Sequence, residues 1–467
     1  MFRHAFTAAL LASTALGGCT LAPTYRRPAL PVTQAWPVPG TVAPVGAMAG
    51  DLAWREVFLD PRLQGVIQLA LEQNRDLRVA VGNIERARAQ YRVQRAALLP
   101  AVNAVGSESQ IHTPQSTSQT GRSFTVESYN ASVAISGYEL DLFGRVRSLS
   151  AAALQTFFSV EENRRTVQIS LIAEVAADYL TLAADQDLLA IVRDTLKSRE
   201  DGLALSRRRF EAGATSALDL RQQETLTEQA RSDLAVTVAR VNQDRDALTL
   251  VVGAEVPAGL LPNGGLTDVR LRDNLQPGLP SDVLIRRPDV LAAEHALRAQ
   301  NANIGAARAA FLPRVTLTAA SGSASPQLDG LFSNGTGVWS FTPQVVLPIF
   351  AGGANLANLR GARASRDVAV AQYEKAIQTA FREVSDALAI RQTIGDRVAA
   401  QQRLVAAASD TQRLTQARYD RGVDGYLALL DAQRTLYAAR QTLLTAQLAE
   451  AVNRVTLYKT FGGGSPP

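Results

Sequence analysis

The chain has 467 residues, of which 46% are hydrophobic and 19% charged, and its net charge is +5. This composition is too apolar for a disordered chain and too rich in charge for a bundle of membrane helices. The 48 basic residues are interleaved with acids, as in SRRRFEAG, rather than gathered in a patch with stacking aromatics. We therefore expect no nucleic-acid partner.

The residue types that most enzymes and metal proteins use are scarce. The chain has 1 Cys and 3 His that are far apart in sequence, which argues against a disulfide framework and a zinc cluster. It also has no P-loop, GxSxG or HExxH motif. We therefore expect no catalysis and no bound metal or cofactor. For His295, on a predicted helix, we expect only a packing or capping role.

The chain begins like an exported protein. Residues 1–18 have a basic start, an apolar run from Ala5 to Leu16 and then small residues, which is typical of a signal peptide. Cys19 follows directly, and the sequence LGGC resembles a bacterial lipobox. In that case Cys19 becomes the N terminus and carries S-diacylglycerol and N-palmitoyl groups. The alternative is a cysteine that merely lies near a cleavage site.

The remainder of the chain is an internal duplication. RAALLPAV (95–102) returns as RAAFLPRV (308–315), and RFEAGATSALDLRQQET (209–225) returns as RYDRGVDGYLALLDAQR (418–434), at an offset of 209 in the second case. A single period of this length indicates a tandem pair rather than a solenoid. The resulting segments are a lipidated extended segment (19–60), a first repeat (61–253), a linker (254–281), a second repeat (282–462) and a flexible tail (463–467).

Proline placement predicts unusually long helices. No proline occurs between Pro114 and Pro257, or between Pro348 and Pro466. Since proline breaks helix interiors, we expect helical hairpins over about 145–252 and 353–461. In the second copy, apolar residues recur at heptad spacing and predict a coiled-coil seam. They are Val370, Ile377, Val384, Val398 and Val405, with Tyr373, Ala380, Ala387, Ile394 and Ala408.

The repeated motif predicts the tip of each hairpin. Gly213 and Gly422 come where a long helix must end, and glycine is favoured just after a helix C terminus. Ser216 and Asp424 are expected to cap the helices that follow. Each chain would therefore carry two coiled-coil tips.

Four strands are expected, at about 101–109, 123–137, 314–321 and 338–347. The last two alternate apolar and polar residues, as in WSFTPQVVL (339–347). Such strands suit a membrane β-barrel, whereas a soluble two-sheet domain is the alternative. Beyond the N terminus no run of 18 apolar residues occurs, so a membrane span would have to use strands. Four strands cannot close a membrane barrel, so the chain would have to oligomerise.

Three long segments are specific enough to suggest a family. They are LPSDVLIRRPDVLAAEHALRAQNANIGAARAAFLPRVTL (279–317), WSFTPQVVLPIFAGG (339–353) and YDRGVDGYLALLDAQRTLY (419–437). These segments resemble the outer membrane factor family, the TolC-like exit ducts, and within it the OprM-type lipoproteins. The resemblance implies an α+β membrane protein. It would be a homotrimer with a twelve-stranded outer membrane β-barrel, four strands per protomer, continued by a periplasmic α-helical coiled-coil barrel.

The resemblance also implies a function and partners. The protein would be the outer membrane channel of a tripartite efflux pump for small molecules or drugs. It would work with a periplasmic adaptor and an inner-membrane pump of the resistance-nodulation-division class. A type I protein-secretion duct is the alternative within the family. A periplasmic adaptor lipoprotein would have a single hairpin without duplication, and a lipid-anchored enzyme would need a catalytic constellation.

The family's periplasmic aperture lies at the hairpin tips, and matched positions imply roles for five residues. Leu427 falls at the apolar constriction and Asp431 at an acidic ring. Tyr419 and Arg434 fall at positions that tie the coils shut, and Asp219 falls where TolC has an aspartate that receives such ties.

The two copies differ at the gate positions. At the offset of 209, Asp431 aligns with Gln222 and Arg434 with Thr225, so both charges occur only in the second copy. The asymmetry favours a gate in the second copy. The alternative is a surface ion pair between Asp431 and Arg434, which would be worth about 0.2–0.5 kcal/mol.

Overall fold

The computed structural model describes residues 20–33, 35–37, 52–119, 121–273, 275 and 280–464, except for the side chains of 280–282. The predicted signal peptide, Cys19 and residues 465–467 lie outside the described residues.

Each copy contains two strands followed by a helical hairpin. After α1 (Trp54–Val57), the first copy comprises α2 (Pro61–Gln73), α3 (Arg75–Ala96), β1 (Val102–Thr113), β2 (Phe124–Leu140), α4 (Arg145–Glu211) and α5 (Ala217–Val252). The linker has short 3-10 helices at Ala258–Leu260 and Leu266–Asp268. The second copy comprises α6 (Pro280–Arg286), α7 (Pro288–Ala309), β3 (Arg314–Ser325), β4 (Gly337–Val346), α8 (Ala354–Asp420) and α9 (Tyr426–Thr460).

The strands form one antiparallel sheet in the order β1-β2-β3-β4. The β2–β3 pair joins the two copies, with Leu140 opposite Val315. The β3–β4 register places Leu317 opposite Pro343 and Thr318 opposite Thr342. Because paired residues share a face, one side of this half of the sheet is apolar and the other polar. Among the described strands, β1 and β4 each have a partner on one side only.

Three of the strands extend beyond the expected bounds. β1 continues to Thr113, β2 to Leu140 and β3 to Ser325. Near the β1–β2 turn one face is polar, with His112 and Gln110, and the other mixes Ile111 and Val126 with polar residues, so the alternation in β1 is weak. The backbone nevertheless stays paired in register, with His112 opposite Thr125. Backbone hydrogen bonds across the hairpin hold this segment, together with a contact of 3.1 Å between His112 Nδ1 and the Thr125 hydroxyl.

The two long helices, α4 and α8, have 67 residues each. At 1.5 Å per residue, each would span roughly 100 Å. The predicted seam of α8 is buried through most of its length, from Tyr373 to Ala408. Arg391, which interrupts the seam, donates to the carbonyl of Leu275. Within the described chain, a stretch of α4 is apolar enough to cross a membrane, but most of it is buried in the protein, as expected for a core helix.

One compact unit contains the sheet and comprises Met1–Ala29, Asn83–Glu161 and Ala292–Tyr373. In it, residues 20–29, here called the N-terminal strap, run along α7. The carbonyl of Leu21 accepts a hydrogen bond from Arg308 Nη1 at 2.9 Å. The carbonyl of Pro23 accepts one from Asn301 Nδ2 at 2.6 Å. Arg27 Nη2 lies 2.7 Å from Glu294 Oε2. The strap therefore runs antiparallel to α7, with its start beside the C-terminal end of the helix.

Glu294 is the buried anchor of the strap, with its side chain only 4% exposed. It accepts hydrogen bonds from the hydroxyl of Tyr25 at 3.0 Å, and from the guanidinium groups of Arg27 and Arg298 at 2.7 Å each. Burial opposes the charged carboxylate, but the bonds from Arg27 and Arg298 prevail and lower the pKa of Glu294 below its ordinary value of 4.5.

The second compact unit comprises Leu30–Gly82, Glu162–Leu291 and Glu374–Pro467. Arg287, buried at 7% exposure, donates to the carbonyl of Thr460 and to the carboxylates of Asp289 and Glu383. Gly463 and Gly464 are also packed, because a Cβ added at Gly463 would lie 2.5 Å from Ile169 and one added at Gly464 would lie 1.5 Å from the carbonyl oxygen of Leu52. The expected flexible tail at 463–467 is therefore wrong for its first two residues, which are held against the rest of this unit.

The strap should detach in acid. A carboxylate whose pKa is lowered by folding stabilises the folded state above its ordinary pKa, and this contribution is lost as the pH falls through the lowered value. We expect a nitroxide spin label on exposed Thr24 (Thr24→Cys) to be immobilised at about pH 7 and mobile well below pH 4.5.

Glu294→Gln is the matched control for this measurement, because its amide cannot titrate in this range. Label mobility in that variant should not change with pH. Equal immobilisation of the wild-type label at both pH values would contradict the role of Glu294.

Candidate aperture at the coiled-coil tips

The two hairpin tips have the same backbone turn. Gly213 follows α4 with a φ of 72°, and Gly422 follows α8 with a φ of 73°. The N–H of Ala214 donates to the carbonyl of Arg209 at 2.7 Å, and the N–H of Val423 donates to that of Arg418 at 3.0 Å. These bonds form a Schellman motif, which requires the left-handed conformation that glycine adopts without steric cost.

The helices that follow are capped differently in the two copies. At the start of α5, the Ser216 hydroxyl accepts a hydrogen bond from the N–H of Asp219 at 3.1 Å, and the Asp219 side chain bonds back, which is a capping box. The expected capping role of Asp424 is wrong. Its carboxylate accepts two bonds from Arg418, at 2.6 and 2.9 Å, and the N-cap of α9 is Gly425, which has no side chain to bond. Because Arg418 binds both oxygens of the Asp424 carboxylate, Asp424 does not cap the N–H groups at the start of α9.

An apolar cluster joins the two tips. Tyr426, Leu429 and Leu430 of α9 are buried with Leu226 of α5, and Tyr419 packs against them. The ring of Tyr419 meets that of Tyr426 edge-on, with centroids 5.7 Å apart. The guanidinium carbon of Arg209, from the first copy, lies 5.3 Å from the centroid of the Tyr419 ring. Tyr419 therefore contacts the first hairpin through apolar packing and a cation–π interaction.

Three of the predicted gate residues share the opposite face of α9. Leu427, Asp431 and Arg434 are spaced four and three residues apart, which places them on one side of a helix. All three are exposed, and Leu427 is 68% exposed. In the described part of the chain, Asp431 and Arg434 form no ion pair with each other, so the alternative of a local surface pair is not what this protomer contains.

Asp219 lies apart from that exposed face, in the cap of α5. Its carboxylate accepts bonds from the hydroxyls of Ser216 at 2.8 Å and Thr215 at 3.0 Å. Partial burial opposes its charge, but these hydrogen bonds lower the pKa of Asp219. Within this protomer Asp219 is therefore occupied by its own helix terminus and receives no bond from Tyr419 or Arg434.

Sequence reasoning missed the two arginines that shape the tips. Arg209 lies over Tyr419 and Arg418 holds Asp424. Both precede the aromatic of the repeated motif, at equivalent positions of the two copies. Their equivalent positions could have indicated a role at the tips. The sequence does not show, however, that Arg209 contacts a ring and Arg418 forms an ion pair. The described residues contain no cluster of three or more side chains suited to a metal ion.

A duplicated chain with one four-stranded sheet and two long helical hairpins matches one known family. The family model described as outer membrane efflux protein covers residues 66–254 and 279–463. The chain belongs to this family. The two matched segments correspond to the two copies, and the family assignment confirms the resemblance noted in the sequence.

Individual relatives of this outer membrane efflux protein agree with that assignment. The probable efflux pump outer membrane protein TtgC of Pseudomonas putida is 48% identical over 452 residues, covering 96% of this chain and 93% of that protein. Outer membrane protein OprJ of Pseudomonas aeruginosa is 43% identical, covering 98% of this chain and 95% of that protein.

A solved structure agrees as well. The open state of the MtrE outer membrane channel of Neisseria gonorrhoeae is 40% identical and has a TM-score of 0.87. The match covers 96% of this chain and 98% of that chain. The fold is thus that of the TolC-like outer membrane channels, and the predicted fold class and outer membrane location are confirmed.

The different caps of the two tips predict different responses to substitution. Ser216→Ala should speed hydrogen exchange of the Asp219 amide about fivefold, the equivalent of about 1 kcal/mol for a lost N-cap. Asp424→Ala should leave the exchange of the first amides of α9 unchanged, because Asp424 bonds to Arg418 instead of the helix. Equal effects of the two substitutions, measured by exchange mass spectrometry, would mean that both residues cap.

Proposed function

We propose that this protein is the exit duct of a tripartite efflux pump, formed by three copies that close one β-barrel in the outer membrane. The observation that carries the proposal is a sheet with an apolar face and two open edges, built on the same chain as two long helical hairpins. In lipid, an open edge leaves backbone groups unpaired, so the sheet must close. Three protomers with four strands each give twelve strands, an even number within the range of membrane barrels.

The two hairpins per protomer support a helical tube on the periplasmic side. A periplasmic adaptor lipoprotein would carry one hairpin, and this chain carries two. The tube would receive substrates from an adaptor and an inner-membrane pump of the resistance-nodulation-division class. Two relatives from Pseudomonas putida, each 48% identical, are named an antibiotic efflux pump and a toluene efflux pump outer membrane protein. These names favour small molecules as cargo over the proteins carried by a type I secretion duct.

The gate is proposed at the exposed face of α9. In a trimer this face would bring three copies of Asp431 close together, and like charges at short distance repel unless cations compensate them. Arg434 lies on the same face and has no carboxylate partner within the described part of its own protomer. Arg434 would therefore compensate Asp431 of a neighbouring copy, while Leu427 narrows the passage and Tyr419 holds α9 against the first hairpin.

The lipid anchor at Cys19 is supported by the direction of the N-terminal strap. Leu21 bonds to Arg308, one residue before α7 ends, and β3 begins a few residues later at Arg314. The described part of the strap therefore begins beside the end of α7 that leads into the sheet, and this favours an acyl group attached just before it that reaches the membrane. The barrel would already hold the protein in the membrane, so an acylated N terminus would add little membrane affinity and would mainly position the strap.

Acylation can be measured directly. We expect the N-terminal peptide of the mature protein to begin at Cys19 and to carry the mass of a diacylglycerol and an N-acyl group. Cys19→Ser should abolish that modification. An unmodified Cys19 peptide in the wild-type protein, purified from its membrane, would contradict the anchor.

The duct and its gate are tested by single-channel conductance in planar bilayers. Wild-type currents should be small and rarely open, and Asp431→Ala/Arg434→Ala should make them large and stable because the ring of charges that closes the tips is removed. The control is Asp410→Ala/Arg413→Ala, which removes an exposed Asp–Arg pair of the same spacing on α8. If the gate variant and the control both behave like wild type, the duct remains and the gate lies elsewhere. If no variant conducts, the channel itself is refuted.

A further inference from the structure

Tyr437 interrupts a line of apolar residues on α9, on the C-terminal side of the hairpin tip. Leu430, Tyr437 and Leu444 are spaced seven residues apart, and both leucines are buried. Residues at this spacing lie on one face of a coiled-coil helix. The Tyr437 hydroxyl donates to Oδ2 of Asp233 at 3.1 Å. Because Asp233 belongs to α5, this hydrogen bond joins the second hairpin to the first.

A buried arginine completes the contact. Arg199 of α4 is 8% exposed and donates to the carbonyl of Leu226 at 3.1 Å. Its guanidinium carbon lies 5.8 Å from the centroid of the Tyr437 ring. In the described residues Arg199 has no carboxylate within ion-pair distance. The ring face and the carbonyl are therefore what compensates this charge, and Tyr437 is held from both sides: its ring by Arg199 and its hydroxyl by Asp233.

The duplication supplies an internal comparison. At the offset of 209, Arg199 aligns with Ala408 and Thr227 aligns with Leu436. In the second copy these positions form an apolar cluster of Ala408, Leu436 and Ala439. A coiled coil of this type therefore packs without a charge at this level, and burying a guanidinium there opposes stability. At this level of the coiled coil, the polar residues Arg199 and Thr227 belong to the first hairpin, on the side that meets α9.

Two open grooves flank Tyr437. A cavity of about 450 Å³ lies on one side, lined by Asp233, Arg240 and Gln441 among others, and one of about 220 Å³ lies on the other, lined by Arg199 and Gln433 among others. Tyr437 lines both cavities. Tyr437 therefore lies between two grooves rather than deep among apolar side chains, and its polar contacts with Arg199 and Asp233 carry the specificity.

We propose that Arg199, Tyr437 and Asp233 form a register lock that fixes α9 against the first hairpin in the closed duct. A single polar residue at a seam position is known to specify register in coiled coils. Tyr437 lies three residues from Arg434 and six from Asp431, on the same helix. The lock therefore sets the axial position of the proposed gate from about two turns away, and α9 must break the Tyr437 bond to move. This inference rests on the proposed function.

The sharpest test removes one oxygen atom. Tyr437→Phe keeps the ring under Arg199 and deletes the bond to Asp233. Because a hydrogen bond to a charged group is among the stronger ones, we expect the ratio of open to closed time in single-channel recordings to rise about tenfold. Asp233→Asn keeps an acceptor but loses the charge, so its ratio should lie between those of wild type and Tyr437→Phe, whereas Asp233→Ala should match Tyr437→Phe. The double variant Tyr437→Phe/Asp233→Ala should open no more than either single one.

Tyr458→Phe is the matched control. Tyr458 is also on α9, is 1% exposed, and its hydroxyl has no hydrogen-bond partner among the described residues. It should leave the open-to-closed ratio unchanged. A wild-type ratio in Tyr437→Phe, an equal rise in Tyr458→Phe, or a rise in Asp233→Asn larger than that in Asp233→Ala would each overturn the lock.

A second measurement does not depend on conduction. Hydrogen exchange of the amides between Tyr426 and Tyr437 should be faster in Tyr437→Phe than in wild type, and unchanged in Tyr458→Phe. If no variant conducts but this difference appears, the proposed function fails and the lock stands. If wild type conducts and neither the ratio nor the exchange changes in Tyr437→Phe, the lock fails and the function stands.

Discussion

The structure depends on one constraint, which is that a β-strand edge cannot remain unpaired in lipid. The described part of the protomer provides four strands, with an apolar face on the β3–β4 half, and the two outermost of these strands each have one free edge. A chain of this kind cannot complete its fold in a membrane alone, because every unpaired N–H and C=O there carries a desolvation penalty. Closure by identical neighbours satisfies these groups. The same closure would place three equivalent pairs of hairpins around one axis. The exposed face of α9, which carries Leu427, Asp431 and Arg434, would then lie near its symmetry copies.

Duplication supplies two hairpins with the same turn but different chemistry at their tips. The first tip is fixed by its own capping box, and its acid Asp219 is used in that cap. The second tip has a glycine N-cap and an external arginine–aspartate pair, so less of its helix terminus is held by side chains. The hairpin with the weaker cap is the one that carries Leu427, Asp431 and Arg434. The contacts that hold it come instead from the first hairpin, through Arg209, Asp233 and Leu226.

Much of this could be read from the sequence because the signals are periodic. Proline-free windows and heptads predicted the long helices, and alternation in the β3–β4 hairpin predicted strands with an apolar face. The additional length of β1 could not be predicted, since Ile111 is the one apolar residue between Gln110 and Thr113 and a single apolar residue gives no alternation. Asp424 could not be assigned either, because a capping role and an ion pair with Arg418 use the same residue types at similar spacing. The sequence alone does not show which of these two contacts Asp424 makes.

The pairing of β2 with β3 has a consequence for how the chain is made. Tyr129 is opposite Ser325, and between them lies the whole first hairpin together with the linker. Contacts of such long sequence separation form slowly, since the loop that they close must be ordered first. While the chain is being exported, its first pair of strands therefore waits with an exposed edge until nearly two hundred residues more have arrived. The length of that interval is fixed by the duplication itself, because β3 belongs to the second copy.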